Sequence, residues 1–373
     1  MITLGLSTNL LEPDYVRLGV DGIGTYTSVL LKGLSSHGCN VQGWSFPALF
    51  GSAGLAVGRA LPAAQEFAFL RDLVIPQCRT RVAVDIFHAT DYRIIRMDCP
   101  VVATLHDASP MRYPEWYGGG MRRLKNSLLR RTARNADHVI ALSHFSVKEL
   151  MECFGVDERR ISVVPCGVAS HWFEAPAPGV TARMLARHGL RPGYFLFVGT
   201  LQPRKNIERI LQAYLALPPD VRKERQLVIA GRAGWLCEDL LMQIKGAQQR
   251  GEPVIWLDYV AGEDALRQLY AGAGVFVFPS LHEGFGIPVV EAFASGVPVV
   301  TSNTTSLPEV SQGAALEIDP YSIKELGDAM LRLTRDEALR QRCIGAGRAR
   351  AAQLTWSRTL DETAAVYRSV LGH

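Results

Sequence analysis

Short runs of consecutive apolar residues alternate along this chain with stretches whose apolar positions recur at helical spacing. The runs ITLGLSTN (2–9), NVQGWSF (40–46), VDIFHA (84–89), VVATLHD (101–107), HVIALS (138–143) and ISVVPCG (161–167) read as strands. The second half repeats the rhythm in GYFLFVGT (193–200), QLVIAGR (226–232), PVIWLDYV (253–260), GVFVFPS (274–280), PVVTSN (298–303) and AALEIDP (314–320). Uninterrupted β-branched and aromatic runs predict strands buried on both faces, as in parallel sheets. Helical periods fall between them; Ile207, Ile210, Leu211 and Tyr214 mark the clearest one. Two strand–helix series predict an α/β protein of two doubly wound domains. The aperiodic, Pro- and Gly-bearing segment CGVASHWFEAPAPGV (166–180) places the boundary near residue 168. A last helix is expected after Trp356, with Leu360, Ala364, Tyr367 and Leu371 on one face.

Length supports this division, because 373 residues exceed one ordinary core. A net charge of +4 is too small to argue for nucleic acid as a partner. Seven cysteines without a C-x-x-C pair suggest reduced thiols in a cytoplasmic protein. The N-terminus lacks a basic leader, and no apolar run is long enough to span a bilayer.

The chemistry concentrates in HEGFGIPVVEAFASGVPVVTSN (282–303). An apolar strand is followed by a Gly-Phe-Gly turn and a helix with Pro288 near its start. Gly284 and Gly286 allow the backbone close to a ligand, and a helix N-terminus favours an anion. Glu283 and Glu291 flank that anion site. Phosphate joined to hydroxyls would suit both, and a nucleotide sugar has both parts.

The segment resembles the glutamate–seven–glutamate motif of the retaining, GT-B-fold glycosyltransferases of family four. The resemblance implies that Glu283, Gly284 and Phe285-Gly286-Ile287 face the donor sugar and that Glu291 holds the ribose. It also covers FVGTLQPRKN (197–206), where Gly199 and Thr200 precede Arg204 and Lys205 at a helix entry. Two cations there would neutralise a diphosphate leaving group. The family more often has Glu where Gln202 stands. AGR (230–232) follows in the family's order and brings Gly231 and Arg232 to the donor. His106, in the HD pair that ends a strand, is implied to contact the donor sugar, and Ser143 to offer a small polar group. Gly22 and Gly24, in GVDGIGTYTSVLLKGL (19–34), resemble the first Gly-rich loop, although many relatives carry Arg where Thr25 stands.

Other enzyme classes fit less well. The first loop is not G-x-G-x-x-G and the next strand has no ribose-binding acid, against a nicotinamide enzyme. No Walker lysine motif, G-x-S-x-G or Asp-x-Asp is present. The resemblance therefore implies retaining transfer without a metal or a cofactor, from a nucleotide sugar to a saccharide or lipid-linked acceptor. Runs such as TLQPRKNIERILQAYLALP look most like mannosyl- or deoxyhexosyltransferases of bacterial polysaccharide assembly, with GDP-mannose the first expected donor. The family layout implies an acceptor-side domain 1–168, joined by the terminal helix 357–373, and a donor-binding domain 169–356 across a cleft. Alternatives are another GT-B enzyme, epimerase or phosphorylase-like, and a non-catalytic sugar-nucleotide-binding subunit.

MRRLKNSLLRRTAR (121–134) has six basic residues and no acid. Its stripe of Leu124, Leu128, Leu129 and Ala133 could face the core, or the helix could rest on the anionic inner face of a membrane. The preceding YPEWYGGG (113–120) looks like an aromatic loop suited either to stacking on sugars or to packing.

Overall fold

The computed structural model describes residues 1–16, 22–47, 55–75, 77–117, 120–260 and 262–372. Residues 17–21 of the first Gly-rich loop and 118–119 of the aromatic loop lie outside them. The chain divides into two compact units.

The first unit comprises Met1–Arg112, Gly120–Cys166 and Trp356–His373. Its sheet contains β1 (Ile2–Ser7), β2 (Cys39–Ser45), β3 (Arg59–Ala60), β4 (Ile86–Ala89), β5 (Val101–Thr104), β6 (His138–Ala141) and β7 (Ile161–Val163). The strands are parallel, in the order β3-β2-β1-β4-β5-β6-β7. The short β3 is the strand that the hydrophobic pattern does not reveal, since Arg59 and Ala60 are both exposed. Strands β4 and β5 are buried at every position, which explains their uninterrupted apolar runs. The exception is His88 in β4, which is fully buried. Its Nδ1 lies 2.6 Å from the Tyr367 hydroxyl and its Nε2 2.8 Å from Thr104 Oγ1. Burial pushes this imidazole down to about 3, so it is neutral and joins the terminal helix Trp356–Leu371 to the sheet.

The second unit comprises Tyr113–Gly119 and Gly167–Thr355. Its parallel sheet runs β10-β9-β8-β11-β12-β13. The strands are β8 (Tyr194–Val198), β9 (Leu227–Ala230), β10 (Val254–Leu257), β11 (Ala273–Phe278), β12 (Val299–Ser302) and β13 (Leu316–Ile318). Its core includes Phe195, Phe197, Phe276, Phe278 and Phe293, all essentially inaccessible. Chain order reverses between β8 and β11, and ligands of open α/β sheets bind at the strand carboxyl ends beside such a switch. All seven cysteines are unpaired. No described helix is long and apolar enough to cross a membrane.

Candidate functional site

The loops that leave β8 and β11 carry Arg204, Lys205 and Glu283. After β8 the chain makes a short helical turn, Pro203–Lys205, and Asn206 then takes a left-handed conformation at φ 60°. Asn206 is fixed there by its side-chain amide, which donates to the carbonyls of Pro279 and Pro320 at 2.9 and 2.7 Å. This anchor aims Arg204 and Lys205 at the loop after β11. Arg204 Nη1 donates to Glu283 Oε2 at 2.8 Å and to the His282 carbonyl at 3.1 Å. Lys205 Nζ donates to Glu283 Oε1 at 2.6 Å and lies 4.7 Å above the Phe278 ring.

Glu283 thus bridges both cations. Burial works to raise its pKa, but Arg204 and Lys205 outweigh burial and bring it down to about 2. The triad is ionised and carries one net positive charge. The side chains of Arg204 and Lys205 are only 18% and 10% accessible, and both pair with Glu283. The sequence could not show this, because 78 residues separate Lys205 from its partner.

The turn after Glu283 is held in place by Ser306, whose hydroxyl donates to the carbonyls of Glu283 and Phe285. Gly284 and Phe285 are buried, and Ile287 opens the helix Ile287–Ala294. Gly286 caps that helix at φ 109°, a conformation that disfavours any side chain. Glu291 lies one turn into the helix and accepts a hydrogen bond from the Tyr270 hydroxyl at 3.2 Å. Burial pushes the Glu291 carboxyl up to about 7, against that hydrogen bond and with a contribution from the Glu263 charge. Two glutamates on one motif therefore have opposite protonation behaviour.

Gly199 and Gly231 belong to one close approach. A Cβ on Gly231 would lie 2.0 Å from the Gly199 carbonyl oxygen, so the loops after β8 and β9 can touch only with glycine at this position. Thr200 follows half-buried, and Leu201 pairs with Ala233 across the same approach. Arg232 places its guanidinium 5.0 Å from the Tyr259 ring. The sequence pattern missed Asn206, Tyr270, His282 and Ser306. A buried polar residue inside or beside a motif was the available signal for Asn206 and His282; Tyr270 and Ser306 gave none.

The first unit has its own polar cluster at the carboxyl end of β4 and β5. His106 is buried, and its Nε2 lies 2.9 Å from the Thr90 carbonyl. A carbonyl only accepts, so Nε2 carries the proton and the tautomer is set. The Tyr26 ring meets His106 edge-on at 5.3 Å. Ser143 is fully buried and acts as a helix cap, accepting from Ser146 N at 3.2 Å. Gly22 is exposed at the start of the helix Gly22–Gly33, and Gly24 is buried within its first turn. Glu12, which the pattern also missed, is buried, and its carboxylate accepts from the backbone N–H groups of Ala56 and Gly58 at 2.7 and 2.8 Å.

Two family models match the chain. One, described as Glycosyltransferase Family 4, matches residues 20–171; the other, described as Glycosyl transferases group 1, matches residues 186–350. Over 284 residues the chain is 34% identical to O-antigen chain mannosyltransferase B of Escherichia coli, covering 76% of this chain and 74% of that protein. It is 28% identical over 264 residues to the serotype-specific mannosyltransferase WbdA of Escherichia coli, covering 69% of this chain. The matched part is 32% of WbdA, about a third of that larger protein. Among solved structures, Anabaena HepE in complex with UDP and glucose aligns with a TM-score of 0.75 at 17% identity. That alignment covers 99% of this chain and 100% of HepE, a likeness of fold: two parallel-sheet α/β domains of the GT-B class.

Proposed function

Because this chain belongs to glycosyltransferase family 4 and is a transferase enzyme, we propose that it moves mannose from GDP-mannose to a saccharide or lipid-linked saccharide, with retention of configuration. The observation that carries the reading is the Arg204–Lys205–Glu283 triad, with Lys205 and Glu283 buried and Arg204 partly so, at the switch point of the second sheet. A fixed cationic pair with one spare positive charge suits a departing diphosphate. In this reading the acceptor oxygen forms the new bond to the sugar's anomeric carbon as the bond to the diphosphate breaks. The acceptor proton passes to the departing diphosphate, so no enzyme nucleophile and no metal enter. Glu291 takes the ribose hydroxyls, and the turn 283–287 takes the donor sugar. Gly199, Thr200, Gly231 and Arg232 shape the rest of the donor site.

We also place the protein on the cytoplasmic side, resting reversibly on an anionic membrane surface. The support is the helix Arg122–Ala133, where Leu124 and Leu128 are 54% and 38% exposed beside the basic residues. Of the predicted stripe, Ala133 belongs to the core and Leu129 packs against it. The central test is a screen of nucleotide sugars with product analysis. Transfer of mannose from GDP-mannose with an α-anomeric product is expected; turnover of a UDP-sugar in its place, or an inverted product, would overturn the donor or the stereochemistry.

A further inference from the structure

Four aromatic rings of the second unit are unexplained by the donor chemistry. Tyr113 and Trp116 stack at 4.1 Å, and Tyr117 meets Trp235 at 5.5 Å. The indole N–H of Trp235 donates to the Trp116 carbonyl, which joins the two pairs. At the other end the Tyr113 ring meets the ring of His282 at 5.3 Å, next to Glu283. We propose that Tyr113, Trp116, Tyr117 and Trp235 form a stacking track for the sugar residues of an oligosaccharide acceptor, behind the one that is extended. The inference rests on the transferase reading above.

The burial pattern separates these rings from the structural aromatics. Tyr26, Tyr194, Tyr214, Tyr270 and Tyr367 are fully buried and serve the cores. None of the four track residues is buried, and Trp235 is 40% exposed. The next residue, Leu236, is held at φ 55° and is 54% exposed, so the chain accepts a strained conformation where it presents Trp235. Aromatic rings that stay partly exposed suit ligands with an apolar face and polar edges. A pyranose has that form, with its C–H groups on one face and its hydroxyls around the rim. The Trp235 N–H is already engaged, so this ring offers shape and stacking and no donor to a particular hydroxyl. The ligand class is therefore a neutral glycan, bound with tolerance of its exact linkage. Because the track ends at His282, a chain lying on it leads toward the charged triad.

The test uses the full chain and the variants Trp116→Ala, Trp235→Ala and Trp235→Phe. GDP-mannose is the donor, and α-linked manno-oligosaccharides are acceptors, from methyl mannoside to the pentasaccharide. In the parent enzyme KM is expected to fall as the acceptor lengthens. Each alanine variant should raise KM for the pentasaccharide about tenfold at similar kcat. Methyl mannoside KM and donor hydrolysis should stay unchanged, and Trp235→Phe should recover most of the loss. Loss of hydrolysis and of transfer to every acceptor alike would show that the rings only brace the loop, and would overturn the proposal. So would a KM independent of length. If GDP-mannose is not turned over, the transferase reading fails separately. Tryptophan-fluorescence titration with the manno- and malto-pentasaccharides then decides the track: binding that weakens in Trp235→Ala supports it, and no binding of either glycan overturns it.

Discussion

Replacing Glu283 by Gln removes the buried carboxylate that pairs with Arg204 and Lys205 and keeps the side-chain volume. The depressed pKa gives the magnitude. A fall from 4.5 to about 2 converts, at about 1.4 kcal/mol per pH unit, to about 3 kcal/mol. Breaking a buried ion pair by removing one partner costs a similar amount, about 3–5 kcal/mol, because the remaining charges are left uncompensated. The sign follows from linkage. A carboxylate with a lowered folded-state pKa stabilises fully above its unfolded value, and that contribution disappears as pH falls from about 4.5 through about 2. Urea denaturation at neutral pH should therefore show Glu283→Gln less stable by about 3 kcal/mol, with the gap narrowing below about pH 4.5 and closing near about pH 2. A diphosphate should reverse the loss, since an anion would replace the missing carboxylate. Calorimetry with GDP and UDP should find tighter binding to Glu283→Gln than to the parent protein, about tenfold or more, while turnover falls. A variant within about 0.5 kcal/mol of the parent that binds neither nucleotide more tightly would refute this reasoning.

Other outcomes follow from the same geometry. Arg204→Ala or Lys205→Ala should raise the barrier to transfer by about 2–4 kcal/mol and also lower stability, measured by kcat and by urea denaturation; near-normal turnover in both would end their assignment to the diphosphate. Glu291 has a raised carboxyl pKa, about 7, so its charging opposes folding as pH rises from about 4.5 to 7, while nucleotide binding needs the charged form. Calorimetry should then show nucleoside diphosphate affinity rising between about pH 6 and 8, a slope that Glu291→Gln abolishes; equal slopes in both proteins would remove Glu291 from the ribose. Changing Arg122, Arg123, Arg130 and Arg131 to Glu should abolish sedimentation with anionic liposomes at low salt, and indifference of the parent protein to those liposomes would make the helix an ordinary solvated face. Transfer should survive excess chelator, and a strict requirement for manganese or magnesium would contradict the metal-free reading.

The parts of the molecule legible in sequence are those in which one local pattern answers one local demand. The central strands of both sheets, such as β4, β5, β9 and β12, are buried at every position and so appear as apolar runs, whereas β3, two exposed residues long, has no such signature. Gly286 is legible for a similar reason, because φ 109° and a Leu307 side chain 2.8 Å from where a Cβ would lie favour glycine there. The electrostatics of the site follow a different logic. Glu283 and Glu291 are the same residue type in one motif, yet their pKa values diverge to about 2 and about 7. The difference comes from the surroundings that the fold supplies: Arg204 and Lys205 lower one, while burial, helped by the Glu263 charge, raises the other against the Tyr270 hydrogen bond. Spacing shows that two carboxylates are presented together, but only the fold decides which has cationic partners. The same holds for the helix Arg122–Ala133. Its apolar period was visible, but one stripe serves two surroundings: Ala133 enters the core, while Leu124 and Leu128 face outward. Periodicity measures which residues share a face, and the packing of the neighbouring elements determines how far along the helix that face is covered. The protein's chemistry is therefore written in motifs, and its tuning depends on contacts that no motif contains.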